Sequence, residues 1–232
     1  MFWREDQDEA RFRVPDGIQD LGFRIKGRAL PVDHAYDLRT AILEVLPWMA
    51  ETGGAGIHAI HVAASGNGWH RPEDDGEHAL LYPSHRTRLR LRLSKEHLRD
   101  ALELVGVRLS LGGHTLEVGE AEARPLSALT TVFARYVVAD AGESEQGFLT
   151  RMVGRVEREQ GIRVRKALCG RETVFRKPDG PLVTRSLLFA EIEKDESVRL
   201  QCAGLGPHRL MGCGLFIPHK GVAPVNASVD EI

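Results

Sequence analysis

Eleven residues near the C-terminal end, GLGPHRLMGCG at 204–214, hold four glycines, a histidine and an arginine. Glycines at Gly204, Gly206, Gly212 and Gly214 allow sharp turns and close backbone approach, and amides in such turns can face phosphate. His208 and Arg209 ride on this loop. Its spacing fits neither the dinucleotide fingerprint after a strand nor the P-loop, so nucleotide binding is rejected. A glycine-rich turn with a β-bulge is the plain alternative. A second chemical candidate is His34, which follows Asp33 just ahead of a helical apolar pattern. Histidine ionises near pH 6.5 and can take or give a proton near neutrality. A helix N-terminus disfavours imidazolium, which would keep His34 a usable base, and its amides attract phosphate. The competing reading of His34 is a surface residue beside a helix cap. Tyr36 could assist or simply pack.

Arginines supply a third kind of chemistry. Between His85 and Arg92 the sequence HRTRLRLR carries four arginines (Arg86, Arg88, Arg90, Arg92) and no acid. Guanidinium forks match phosphate oxygens bidentately. Residues 163–177 (RVRKALCGRETVFRK) add six cations against one glutamate, with Arg163, Arg165 and Lys166 leading. Each row is either a phosphate track or an ordinary solvated face. The whole chain of 232 residues is close to neutral, with 31 basic and 33 acidic side chains. Acid is segregated into residues 5–9, residues 73–77 and the extreme C-terminus, so local patches and not net charge decide whether phosphate can dock. Aromatics are only 6% of the chain, which argues against base stacking as the main readout.

Metal and redox chemistry find little support. Cys169, Cys202 and Cys213 are odd in number, widely spaced and contain no CxxC pair, so they read as buried reduced thiols. His70, His78 and His85 with Asp74 and Asp75 match no trusted ligand spacing, and a solvated loop is the simpler reading. No metal and no cofactor are expected. Apolar runs fall short of the roughly 20 residues of a membrane helix. The N-terminus is acidic and polar, unlike a secretory signal. A soluble cytoplasmic protein without membrane contact is the expectation.

These groups need elements to position them. Residues 18–26 read as a strand, and 27–32 as a loop. Asp33 is expected to cap a helix over 35–49, which Pro47 ends or kinks. Residues 57–63 (IHAIHVA) read as a strand, in which His58 and His61 point to opposite faces, so only one can line a given site. Residues 87–93 alternate strictly, with Leu89, Leu91 and Leu93 on one face and the arginines on the other. Ser94 is expected to cap a second helix over 95–105, and Gly112–Gly113 joins two hairpin strands. After a linker at 120–125 the pattern restarts. Residues 128–139 read as a strand, 144–160 as a helix capped by Ser144, and 161–168 with 172–177 as a basic hairpin. A strand at 182–193, a short helix at 195–203 and a strand at 211–218 complete it. The order strand, helix, strand, strand, helix, strand, read twice, predicts an α+β chain of two tandem ferredoxin-like βαββαβ domains. The expected domains are residues 1–119 and 126–218, with a flexible tail at 219–232.

Within this order, a helix followed by G-x-G, a basic stretch, G-x-G and an apolar strand resembles the repeat-associated RNA-binding superfamily of CRISPR systems. The chain is more closely similar to the CRISPR repeat-processing endoribonucleases that mature guide RNA. The matching pieces are LPVDHAYDL at 30–38, GIHAI at 56–60, RTRLRLRL at 86–93, LGGHTLEVG at 111–119 and GLGPHRLMGCGLFIP at 204–218. They span roughly 18–218, and the Asp33–His34 pair points to the nuclease. This resemblance implies metal-independent cleavage of precursor CRISPR RNA, in which the RNA's own 2′-OH attacks the adjacent phosphate, aided by a general base, a general acid and cations. It implies His34 as a catalytic residue, with His58, in a matching segment, as the second participant. RNA binding falls to the two basic rows and to the loop residues Gly204, Gly206, His208, Arg209, Gly212 and Gly214. The partner implied is a repeat RNA stem-loop, read by shape and phosphate, with other CRISPR effector subunits as further partners. Oligomeric state is left open. The competing class is a non-catalytic repeat-RNA-binding subunit of a CRISPR effector complex.

Overall fold

A computed structural model describes residues 12–62 and 79–220. The acidic runs at 5–9 and 73–77, the loop residues His70, Asp74, Asp75 and His78, and the tail beyond 220 lie outside the described residues.

In the first half, β1 (Ile18–Lys26), β2 (Leu30–Pro31), α1 (Ala35–Val45), β3 (Gly56–His58), β4 (Leu80–Leu81), β5 (Arg88–Ser94), β6 (Arg108–Leu111) and β7 (His114–Pro125) follow in order. Their main sheet runs β3-β5-β1-β7-β6, with β2 and β4 forming a small separate ladder. The second half has β8 (Val132–Val138), α2 (Glu145–Gln160), β9 (Lys166–Phe175), β10 (Leu182–Ala190), α3 (Lys194–Ala203) and β11 (Phe216–Pro218). Its sheet runs β11-β8-β10-β9. Both sheets place the fourth strand of a βαββαβ unit beside the first, with the third and second following on the other side. The chain is therefore α+β with two tandem ferredoxin-like units, the first widened by the β6 hairpin strand.

Alternation fixes the first unit. On β5, Leu89, Leu91 and Leu93 are buried against Leu21, Phe23 and Ile25 of β1 and Leu38, Ala41 and Ile42 of α1. Each fully buried Leu or Phe contributes about 1.5–3 kcal/mol. A one-residue slip of β5 would turn three arginines inward, so the register Leu91↔Leu21 is strongly specified. In the second unit Ser144 caps α2 by accepting from the Gly147 amide at 3.1 Å, and Gly161 closes it in the left-handed conformation. Phe148, Met152 and Val156 of α2 pack on Val132, Ala134, Leu187 and Phe189 of the sheet.

Several expectations need correction. Asp33 does not cap α1; His34 holds the cap position with no side-chain cap bond, and Asp33 Oδ2 accepts from the Arg176 amide at 2.8 Å. The second helix of the first unit is a pair of 3-10 turns, Lys95–His97 and Asp100–Leu104, and Ser94 makes no cap bond. Residues 120–125 are no linker: they extend β7 along β1 as far as the pair Gln19↔Pro125. Within the basic segment, Lys166–Phe175 form one continuous strand, β9, paired with β10 rather than folded on itself. Of the cysteines only Cys213 is buried; Cys169 and Cys202 are half-buried. Among the described residues no helix is long and apolar enough to cross a membrane.

Candidate nucleic-acid site

The two units are tied by side chains that looked like phosphate ligands. Arg92, on the same face of β5 as Arg88 and Arg90, is fully buried. Its guanidinium grips Asp20 of β1 through two bonds of 2.8 and 2.9 Å, and Nη1 donates to the carbonyls of Gln201 (3.0 Å) and Phe216 (2.7 Å). Burial pushes the Asp20 carboxyl up, but hydrogen bonding to His58 and Arg92 and the Arg92 charge outweigh it and hold the group well below the usual carboxylate range. Arg92 therefore joins the halves and is not available to RNA. Arg209 behaves the same way. Its guanidinium donates to Ala203 O, to Cys202 O at 3.2 Å and to Gly54 O at 2.7 Å, closing the C-terminal end of α3 and reaching across to the first unit. Burial, with Arg92 near, brings its pKa down to about 10.

His34 is also absorbed by the frame. It is 3% exposed, contrary to a surface position. Nδ1 lies 2.8 Å from Pro31 O and 3.0 Å from Val32 O, and Nε2 accepts from the Ile60 amide at 2.9 Å. Because Nε2 accepts, the proton sits on Nδ1, and neither nitrogen offers a lone pair to a substrate. In this arrangement the ring pins the loop before α1 to the chain after β3. His58 is half-buried and also engaged. Its Nε2 stands 3.5 Å from Asp20 Oδ1, and burial holds its pKa below the ordinary value despite that carboxylate, with Arg92 and Arg90 adding to the effect.

What remains open is a cleft of about 240 Å³ between the two units. Arg86, Arg88 and Arg90 line it from the β5 side, Arg135 and Tyr136 from β8, and His58 and His61 from β3 and the chain after it. The strand ends at His58, so strand alternation does not extend to His61, and both histidines reach one cleft. Arg86 and Arg90 are exposed, while Arg88 is half-buried and donates to His85 O at 2.7 Å.

The glycine-rich loop forms the wall between this cleft and a second hollow. Gly212 lines the cleft, and 206–211 line the hollow. A Cβ on Gly214 would lie 2.0 Å from Leu205 O, and one on Gly212 would lie 3.0 Å from the Ala59 amide nitrogen. Both residues have positive φ, so the two G-x-G segments are laid against each other and against β3. The close approach made by these glycines is to protein backbone. The hollow, about 330 Å³, is lined by Arg39 of α1, by Thr52 and Gly54, and by His208. His208 is exposed and left-handed, φ 64° and ψ 34°. That backbone costs a non-glycine residue about 1–3 kcal/mol.

Arg163, Arg165 and Lys166 are not brought to either place. Arg163 and Arg165 precede β9 and Lys166 opens it, paired with Glu191. Phe175, at the strand's other end, is about 30 Å away at roughly 3.3 Å per residue. Lys177, just beyond that end, lies near His208 and pairs with Asp179 at 2.6 Å. Sequence reasoning missed Arg39, Arg135 and Tyr136, and took Lys177 only as one cation of the basic row. The one available signal was Arg39 on the polar stripe of α1.

The comparisons with known proteins agree with this architecture. A family model described as "Cas6 Crispr" matches residues 19–221. A protein of Myxococcus xanthus named CRISPR-associated endonuclease Cas6 is 28% identical over 208 residues, covering 90% of this chain and 84% of that protein. A solved structure described as CRISPR associated protein Cas6 matches with a TM-score of 0.58 at 11% identity, over 88% of this chain and all (100%) of the other. One described as a Cas6-related gene product from Pyrococcus furiosus gives 0.58 at 12% identity, over 86% and 98% of the two chains. Another, described as an RAMP protein binding different RNA substrates, gives 0.57 at 15% identity, over 87% and 100%. At these identities the structures show a shared fold.

Proposed function

The chain belongs to the Cas6 family, and from that premise we propose that it is an endoribonuclease that cuts precursor CRISPR RNA within its repeats. The observation that carries this reading is the arginine-lined cleft between the two ferredoxin-like units. Arg86, Arg88, Arg90 and Arg135 gather there in a chain whose overall charge is near zero, so the basic groups are concentrated where a polyanion would lie. Sparse aromatics favour recognition of a stem-loop by shape and phosphate. Cleavage proceeds by attack of the RNA's own 2′-OH and needs no metal ion. His34 and His58 hold the frame of the site. Their engagement favours a second reading, a repeat-RNA-binding subunit without activity.

One experiment separates the two. Purified protein is incubated with its repeat RNA in EDTA. The nuclease reading predicts an upstream product ending in a 2′,3′-cyclic or 3′ phosphate, and a 2′-deoxy nucleotide before the scissile phosphate should allow binding but block cutting. Binding without any cleavage supports the second reading. Efficient cutting of the deoxy substrate, or a strict need for Mg²⁺, contradicts the mechanism.

A further inference from the structure

We infer that His208, on the glycine-rich loop, is the catalytic base of this enzyme, acting in the hollow that Arg39 of α1 shares with that loop. This rests on the endoribonuclease reading above. His34 is enclosed and His58 is held beside Asp20 on the wall of the arginine-lined cleft, whereas His208 is exposed at the rim of a hollow of about 330 Å³. Its left-handed backbone is locked by its own carbonyl, which accepts from the Met211 amide at 2.8 Å and the Cys213 amide at 3.2 Å. Strain that the surroundings fix so firmly is a feature of functional positions. The next residue, Arg209, turns inward and clamps α3 to the first unit, so adjacent side chains divide the work of holding the loop and presenting a ring to solvent.

The surroundings suit proton abstraction. Burial, Lys177 and Arg39 lower the His208 pKa, opposed by Asp179. Lys177 and Asp179 come from the β9–β10 turn, Arg39 from α1, Arg209 from the loop itself, and Arg155 of α2 reaches the neighbouring Gly206. Cations thus outnumber anions around the ring, and the neutral imidazole is the form present at pH 7. In the reaction, the 2′-OH gives its proton to a ring nitrogen of His208 and its oxygen bonds to phosphorus. The bond from phosphorus to the 5′ oxygen breaks, and that oxygen takes a proton from water. The products are a 2′,3′-cyclic phosphate and a 5′-OH. Arg39 and Lys177 offset the charge that builds on the phosphoryl oxygens.

The test is single-turnover cleavage of the repeat RNA by the full chain in EDTA. His208→Asn is the informative variant, because asparagine tolerates the left-handed backbone but cannot carry the proton. We expect its rate to fall by about 10²–10⁴-fold, with RNA affinity within a few-fold of wild type. The wild-type rate should rise with pH through a value below 6.5 and then level, and that limb should vanish in His208→Asn. Arg39→Gln should lower the rate but retain the limb. A His208→Asn protein that cuts at the wild-type rate overturns the assignment while leaving the nuclease reading intact. A wild-type protein that fails to cut, or that cuts 2′-deoxy RNA, overturns the nuclease reading and this inference with it.

Discussion

His34 and His208 stand at opposite poles of histidine behaviour in one fold. His34 opens a helix, the position usually associated with phosphate and proton chemistry, yet it is 3% exposed and both ring nitrogens are spoken for. His208 sits on an irregular loop, is exposed, and has cations on two sides. The same contrast recurs among the arginines. Arg90 and Arg92 share a face of β5, but one lines a cleft and the other is sealed between the units. Residue type and local element do not separate structural from functional groups here. The interactions made by the other half of the chain do.

The largest effect is expected at β5. Arg92→Ala leaves the Asp20 carboxylate buried without its partner and opens the joint to the second unit. Loss of about 3–5 kcal/mol of stability is expected in chemical denaturation. Arg90→Ala should leave the unfolding midpoint unchanged. Equal stability of the two variants would show that β5 is uniformly a solvated face. His34→Ala comes next. It strands the buried Ile60 amide and the loop carbonyls, so a loss of about 1–3 kcal/mol is expected; an unchanged midpoint would place His34 outside the frame.

Acid sharpens the contrast further. Burial lowers the pKa of His58 in the folded state, so below the ordinary histidine value of about 6.5 the unfolded chain takes up a proton that the folded chain does not. Stability should therefore fall as pH drops from 7 toward 5. The lowered pKa of Asp20 adds a further loss only as pH falls below about 4, where the unfolded carboxyl protonates. His58→Gln should flatten the slope between pH 7 and 5; an unaltered slope would trace the acid sensitivity elsewhere. The smallest effect belongs to the cleft. Arg88→Ala with Arg90→Ala should weaken RNA binding and lower the log–log salt slope by up to about 1 for each phosphate no longer neutralised. Arg163→Ala with Arg165→Ala, just ahead of β9 and away from the cleft, should change it less. The reverse ranking would move the RNA track to β9.

Much of the frame was legible because local chemistry set it. Ser144 and Gly161 bracket α2, Gly112–Gly113 turns the β6–β7 hairpin, and the leucine alternation marks β5. The 3-10 turns after β5 were not. Leu98, Ala101 and Leu104 recur every three residues, a spacing that one helical turn of either kind accommodates. Residues 120–125 looked like a linker because five of the six are exposed, on a strand end that carries no apolar stripe, and composition alone does not distinguish the two. The site was legible as residue types and not as roles. Arg92 is buried by carbonyls 109 and 124 residues away, and His34 is satisfied by an amide 26 residues on. Arg39 and Lys177 acquire meaning only when α1, the β9–β10 turn and the glycine-rich loop meet.

The proposed assignment gives proton transfer to the loop histidine and not to the helix histidine. Its most direct test is the single-turnover rate of His34→Gln set beside that of His208→Asn, on the same repeat RNA in EDTA. Glutamine at 34 keeps an acceptor for the Ile60 amide but cannot relay a proton. With the loop histidine as base, His34→Gln is expected to cut within a few-fold of wild type while His208→Asn loses about 10²–10⁴-fold. A folded His34→Gln protein that is slow, beside a His208→Asn protein that is fast, would contradict it.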